Sequence, residues 1–219
     1  MKLYSYPRSS ASYRVRIALH LKAIPVEVED VNLLQGEQRD PDYLLVNPQG
    51  VLPTLVDGEI VISQSLAAIE YLEERYPRPA LLPRDAKGRA RVRQLALIIA
   101  CEIHPLQNLG VLRSLAEQFD IAEEGRRGWA RQVIERGLEA FSKIIEQECN
   151  GPYCHGAELS MADLLLIPQL YNARRFNCDL RRLSRLLDIE AACLRLDAFT
   201  ETSPDPAPRP PAESSAGSA

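Results

Sequence analysis

Residues 2–31 read KLYSYPRSSASYRVRIALHLKAIPVEVEDV, and this stretch decides the class of fold. Lys2 to Tyr6 alternates, with Leu3 and Ser5 on one face and Tyr4 and Tyr6 on the other, which is the period of a short strand. Ser9 to Ser12 offers hydroxyls suited to capping a helix, and from Tyr13 the apolar positions Val15, Ile17, Ala18, Leu19 and Leu21 suit that helix. Val26, Val28 and the neighbouring Val31 supply a second strand. The order is a βαβ unit, in which two parallel strands are joined by a helical crossover.

Working outward, Gln35 to Asp42 is polar and reads as a loop with a short helix. Thr54 to Val56 and Ile60 to Ile62 flank Asp57-Gly58, a strong hairpin signal. Ser63 to Tyr76 reads as a capped helix with Leu66, Ile69 and Leu72 on its apolar face, ended by Pro77 and Pro79. Beyond Asp85 the strand pattern stops. Helical patterns run from Arg91 to Phe119 with a kink expected at Pro105, from Trp129 to Glu148, from Ser160 to Phe176, and from Leu183 to Phe199. In Leu159-Ser160-Met161-Ala162-Asp163-Leu164 the serine caps a helix, Asp163 reaches back to its amide, and the two leucines form a staple. Arg89, Arg91 and Arg93 read as a solvated helix face. The expectation is an α/β domain over residues 1–80 and an all-helical domain over 85–202, with the boundary between Tyr76 and Arg89. Residues 203–219, rich in Pro, Ala and Ser, are expected to be disordered.

Composition narrows the function. The 219 residues are 46% hydrophobic and 26% charged with a net charge of −4, which gives no electrostatic case for a nucleic-acid partner. No apolar run approaches the roughly 20 residues needed to span a bilayer. The opening MKLYSYPRSS has no apolar signal core, so a cytoplasmic protein without a membrane partner is expected. Five cysteines without a C-x-x-C pair and three well-separated histidines point to reduced thiols and no metal.

The order βαβ, connector, ββα, then helices, resembles the glutathione-transferase family, a thioredoxin-like half followed by an all-α half. The segment Ser9-Ser10-Ala11-Ser12-Tyr13-Arg14-Val15-Arg16-Ile17-Ala18-Leu19 looks specifically like the zeta class, whose pattern is S-S-C-S-[YW]-R-V-R-I-A-L. That class holds the maleylacetoacetate and maleylpyruvate isomerases. Asn47-Pro48, Leu52-Pro53-Thr54-Leu55, Gln64-Ser65, the Ser160 capping box, Pro105-Leu106-Gln107-Asn108-Leu109 and Ala173-Arg174-Arg175-Phe176 extend the likeness over almost the whole chain except the tail. Ala11 departs from it, standing where the class has a cysteine. Thiol–disulfide and dehalogenation chemistry then lacks its sulfur, whereas isomerisation uses the sulfur of glutathione.

The resemblance implies glutathione as cofactor, a homodimer, and a small substrate with carboxylate groups. The thiolate adds to a cis double bond, the bond rotates, and elimination gives the trans product. Lowering a thiol from about 8.5 by two pH units takes roughly 2.7 kcal/mol. One hydrogen bond to a charged group supplies about 1.5–3 kcal/mol, and a helix N-terminus adds roughly 0.3–1 kcal/mol. By resemblance Ser9 is the thiolate donor, with Ser10 in support; both also read as plain helix caps. Leu52-Pro53 resembles the fold's cis-proline turn, which frees the Leu52 backbone to pair with the cysteinyl part of glutathione. Gln64 and Ser65 open a helix and are assigned the γ-glutamyl end. Gln38 is assigned the glycyl end, and His104 and Asn108 an approach from the kinked helix, where His104 alternatively serves structure alone. Arg8 and Arg175 are the candidates for clamping substrate carboxylates. Two other readings stay open: a transferase conjugating electrophiles, and a non-catalytic glutathione-binding or stress-regulatory protein.

Overall fold

The computed structural model describes residues 1–148 and 151–205. Strand β1 (Lys2–Ser5) buries Leu3 and Ser5 as its alternation requires. Helix α1 (Ser10–Leu21) crosses over to β2 (Glu27–Asp30), which pairs with β1 in parallel, Leu3 opposite Val28. β2 takes the place expected of it in the βαβ unit, though its bounds leave Val26 and Val31 just outside it. All its residues are exposed, Val28 at 50%, because it forms the sheet edge; the buried valine is Val31, just past the strand. The polar connector forms a 3₁₀ turn at Glu37–Arg39 and then α2 (Pro41–Val46). The hairpin β3 (Thr54–Asp57) and β4 (Ile60–Ser63) turns at Gly58, whose φ of 61° favours a glycine. β3 runs antiparallel to β1, giving the order β2-β1-β3-β4, and α3 (Ser65–Arg75) follows.

The two faces of β1 lead to two apolar clusters. Leu3 packs with Val15 and Ile17 of α1 and Ile69 and Leu72 of α3. On the other face Tyr4 meets Tyr43 of α2 edge-on at 5.5 Å, beside Val31 and Leu52. The larger cluster continues from Leu3 to Phe199 without a break between the sheet and the helices.

The connection out of the sheet is tied down by a buried ion pair. Lys22 Nζ donates to Glu73 Oε2 at 2.8 Å and to the carbonyls of Tyr76 (2.6 Å) and Pro79 (2.9 Å). Glu73 in turn accepts from the amides of Leu81 and Leu82. Helix α4 (Ala86–Leu97) starts on the Asp85 cap. The expected long helix to Phe119 is divided. Pro105 has no N–H to offer its own helix; the bond from His104 N reaches back to Ile99 O, and Ile98–Ile103 winds as a π turn. A short α5 (His104–Gln107) ends at the extended Asn108, and α6 (Leu109–Phe119) begins there. By length and composition, 86–119 would suffice to cross a membrane. Here its face of Val92, Leu95, Ala96, Ile99 and Ile103 is fully buried in the protein's own core.

Helix α7 (Glu123–Glu148) starts ahead of Trp129, and α8 (Met161–Arg175) opens with Asp163 accepting from Ser160 N (2.8 Å), Ser160 Oγ (2.9 Å) and Cys154 N (2.7 Å). The helix expected over Leu183–Phe199 divides into α9 (Ser184–Cys193) and α10 (Asp197–Thr200). Leu196 turns extended between them, so that Phe199 enters the core and its carbonyl receives the Tyr13 hydroxyl at 2.5 Å. The basic run is not simply a solvated face: Arg93 forks onto Glu70 of α3 at 2.6 and 2.9 Å, and Arg91 donates to Ile144 O. Of the expected tail, residues 206–219 lie outside the described residues.

Candidate active site

The site is built where the N-terminus of α1 meets the C-terminus of α8. Ser9 caps α1, its Oγ accepting from Ser12 N at 3.2 Å, and its hydroxyl proton meets no acceptor among the described residues. No acidic residue occupies the first turn of α1, so the partial positive charge of that helix end is unopposed. Ser10 is buried and accepts from Asn172 Nδ2 at 2.8 Å. Asn172 Oδ1 accepts from Arg175 Nη1 at 3.3 Å, and the same nitrogen lies 3.4 Å from Arg8 O. The loop before Ser9 is held by Arg16, which donates to Ser5 Oγ, Pro7 O and, from across the molecule, Thr202 O.

A second wall is the turn before β3. Leu52-Pro53 is cis. The preceding carbonyl of Val51 accepts from Tyr43 Oη (2.7 Å) and Asn47 Nδ2 (2.9 Å), fixing the turn from the sequence Asn47-Pro48 onward. The N–H and C=O of Leu52 itself take no protein partner among the described residues. Gly50, at φ 61°, approaches so closely that a Cβ there would stand 3.0 Å from Gln38 O. Gln64, at φ 74°, precedes α3 and donates to Gln49 Oε1 at 3.2 Å. Ser65, the first residue of α3, accepts from the guanidinium of Arg14 at 3.2 Å.

Between these walls lies a cavity of about 480 Å³. Of the residues expected in the site, Arg8, Ser9, Ser10, Gln38, Leu52, His104, Asn108 and Arg175 line it. Pro53, Gln64 and Ser65 do not; Pro53 sets the Leu52 turn, and Gln64 reaches the cavity wall through Gln49. Ala11 lines the cavity where the class pattern has its cysteine. Asn108 also caps α6, accepting from Val111 N at 3.0 Å. His104 Nδ1 faces the side-chain amide of Gln107 at 3.4 Å. Burial, with a smaller contribution from the Arg14 charge, pushes His104 down to about 3, so it is neutral at physiological pH.

Sequence reasoning missed Asn172, Gln107, Arg39 and Arg113, all on the cavity wall. Asn172 lies one helical turn before Arg175 and was within reach of a spacing argument. Arg113 carried no signal, since only the break at Asn108 turns α6 toward the site. The charge pattern is one-sided: Arg8, Arg39, Arg113 and Arg175 line the cavity, and no Asp or Glu does. Partial burial, with the Arg8 charge adding to it, holds Arg175 below the usual arginine range, and its guanidinium lies 5.7 Å from the Tyr171 ring.

A two-walled, cationic cavity thus lies beside the cis Leu52-Pro53 turn of a thioredoxin-like sheet, and comparison with known proteins gives the family. Residues 3–80 match the family model for the glutathione S-transferase N-terminal domain. A probable maleylacetoacetate isomerase of Vibrio cholerae is 42% identical over 94% of this chain and 96% of its own length. A holo structure of a zeta-class bacterial maleylpyruvate isomerase superposes with a TM-score of 0.91 at 42% identity, covering 93% of this chain and 97% of the other. A maleylacetoacetate isomerase from Methylobacterium extorquens AM1, solved with bound malonate and glutathione, gives a TM-score of 0.91 at 37% identity over 93% and 96% of the two chains. The chain belongs to the zeta-class glutathione transferases, the family of the maleylacetoacetate and maleylpyruvate isomerases.

Proposed function

We propose that this protein is a glutathione-dependent cis–trans isomerase of maleylacetoacetate or maleylpyruvate, working in the cytoplasm as a homodimer. The observation that carries the substrate class is that four arginines and, among the described residues, no Asp or Glu line the cavity, in a chain whose net charge is −4. Such a lining favours a ligand set with several carboxylates. The relatives named as isomerases, and the neighbour with malonate and glutathione together, support the same reading.

The residues present fit glutathione. The open N–H and C=O of Leu52 beside the cis Pro53 match a peptide backbone, and the first turn of α3 at Gln64 and Ser65 has no acidic residue to repel a carboxylate. Gln38, packed beside Gly50 of the Leu52 turn, lines the cavity for the glycyl end. Glutathione, when bound, supplies the thiolate that adds to the cis double bond and leaves after rotation. The Ser9 hydroxyl would donate a hydrogen bond to that sulfur at the α1 N-terminus, keeping it ionised, and Ser10 is held behind it by Asn172. Arg8 and Arg175 hold substrate carboxylates, with Asn172 setting the Arg175 fork. His104, neutral, offers one ring N–H donor and one ring nitrogen acceptor, and Asn108 closes that side. In this reading residues 1–80 bind the cofactor and 85–202 shape the substrate side. Exposed Ile60 and Val61 on β4 and Leu97 on α4 support a dimer contact.

The deciding experiment follows both maleyl substrates by absorbance with substoichiometric glutathione. Many turnovers per glutathione support isomerisation. Consumption of one glutathione per product, or activity on neutral electrophiles alone, moves the assignment to a conjugating transferase; sedimentation as a monomer at micromolar concentration removes the dimer.

A further inference from the structure

Arg14, 1% exposed, is the largest fully buried side chain among the described residues, and it does not line the cavity. A guanidinium carries five N–H donors and keeps its charge at neutral pH. Burial lowers Arg14 only to about 10. Its Nη1 donates to Ser65 Oγ, while Nε and Nη2 meet no protein acceptor among the described residues. No carboxylate pairs with it there; the ionisable groups that face it are the Cys101 thiol and the neutral His104.

Lys22 shows how this fold buries a cation for structural purposes: Glu73 and two carbonyls satisfy it completely. Arg14 receives one hydroxyl. A buried charge is tolerated when an opposite charge compensates it, and no carboxylate among the described residues compensates Arg14. What Arg14 touches is the start of α3. That helix spans 11 residues, its Gln64 cap makes no side-chain hydrogen bond to it, and its first turn is free of acids. Ser65 Oγ spends a lone pair on Arg14, so its single proton points elsewhere, to whatever sits at the helix N-terminus.

We propose that Arg14 is the built-in counter-charge of the glutamyl α-carboxylate of glutathione, a positioning residue that acts through Ser65 by orienting the serine hydroxyl toward that carboxylate. The proposal rests on the glutathione reading above and concerns one end of the cofactor, not the isomerised substrate.

The test is titration calorimetry with glutathione and with γ-aminobutyryl-cysteinylglycine, which lacks only the α-carboxylate. Wild type is expected to prefer glutathione by about 10- to 100-fold, the worth of a charge-assisted hydrogen bond. Arg14→Met should shrink that preference to about threefold or less while the analogue binds within about threefold of wild type. Ser65→Ala should do the same, and the double variant should lose little more than either single one, because the two act as one unit. Without ligand, Arg14→Met should melt at or above the wild-type temperature, since it removes an uncompensated charge. Should Arg14→Met fail to fold, Arg14→Lys and Ser65→Ala carry the comparison, with the lysine keeping part of the preference. Equal losses for glutathione and analogue overturn the proposal and leave Arg14 a structural residue. A wild type that does not discriminate the two also overturns it, while glutathione binding itself stands. A wild type that binds neither overturns the glutathione reading instead, and this proposal with it.

Discussion

Replacing Ser9 separates the two things this residue does. Its Oγ accepts from Ser12 N and so caps α1, and its proton is the donor assigned to the glutathione sulfur. Losing a cap costs about 1 kcal/mol when alanine replaces serine but only a few tenths when glycine does. Losing a hydrogen bond to a thiolate costs about 1.5–3 kcal/mol for either. If the site holds the thiol near pKa 6.5 and the variant lets it rise to about 8.5, the ionised fraction at pH 7 falls from about 76% to about 3%. That is a deficit in turnover of about 25-fold, inside the roughly 10- to 150-fold that the hydrogen-bond energy allows. At pH 9.5 the two fractions are both above about 90% and the deficit nearly closes. The assay is isomerase turnover at saturating glutathione from pH 6.5 to 9.5 for wild type, Ser9→Ala and Ser9→Gly, with urea midpoints alongside. The alanine variant should be less stable than the glycine variant while the two share one pH-dependent deficit. A deficit that is constant across pH, or that tracks stability instead of ionisation, refutes the assignment.

Arg175→Ala should raise KM for the dicarboxylate by about tenfold or more while sparing conjugation of a neutral electrophile; equal losses on both would assign the arginine to structure. His104 should take no part in pH profiles between pH 5 and 8, being neutral above about 3. Its folded value lies below its unfolded one of 6.5, so its contribution to stability is complete above 6.5 and is lost as pH falls from there toward 3. His104→Gln should therefore lower the urea midpoint less between pH 7 and 4.5 than wild type does. Glu73→Ala leaves the buried Lys22 ammonium unpaired and two linker amides unmet, and should destabilise by about 3–5 kcal/mol, read from urea unfolding, with Glu73→Gln milder. A loss below about 1 kcal/mol would mean that solvent reaches the pair.

What the sequence determined by itself is what rests on local rules. Leu3 and Ser5 faced inward because period-two alternation has only one way to sit on a core. Ser9 capped α1, Asp57-Gly58 turned the hairpin and Asp163 reached back to Ser160, since each depends on residues within a few positions. The zeta-class pattern then named residues of the site, eight of which line one cavity. Tertiary structure decided the rest. β2 fell on the sheet edge with every residue exposed, the kink expected at Pro105 took the form of a π turn followed by a second break at Asn108, and Leu196 broke another helix so that Phe199 could enter the core. Asn172 meeting Ser10 spans 162 positions, and Arg14 under Ser65 spans 51. No window of sequence contains both partners of such a contact. Whether an arginine is solvated, as most are, or buried without an acid, as Arg14 is, depends on which helices close around it.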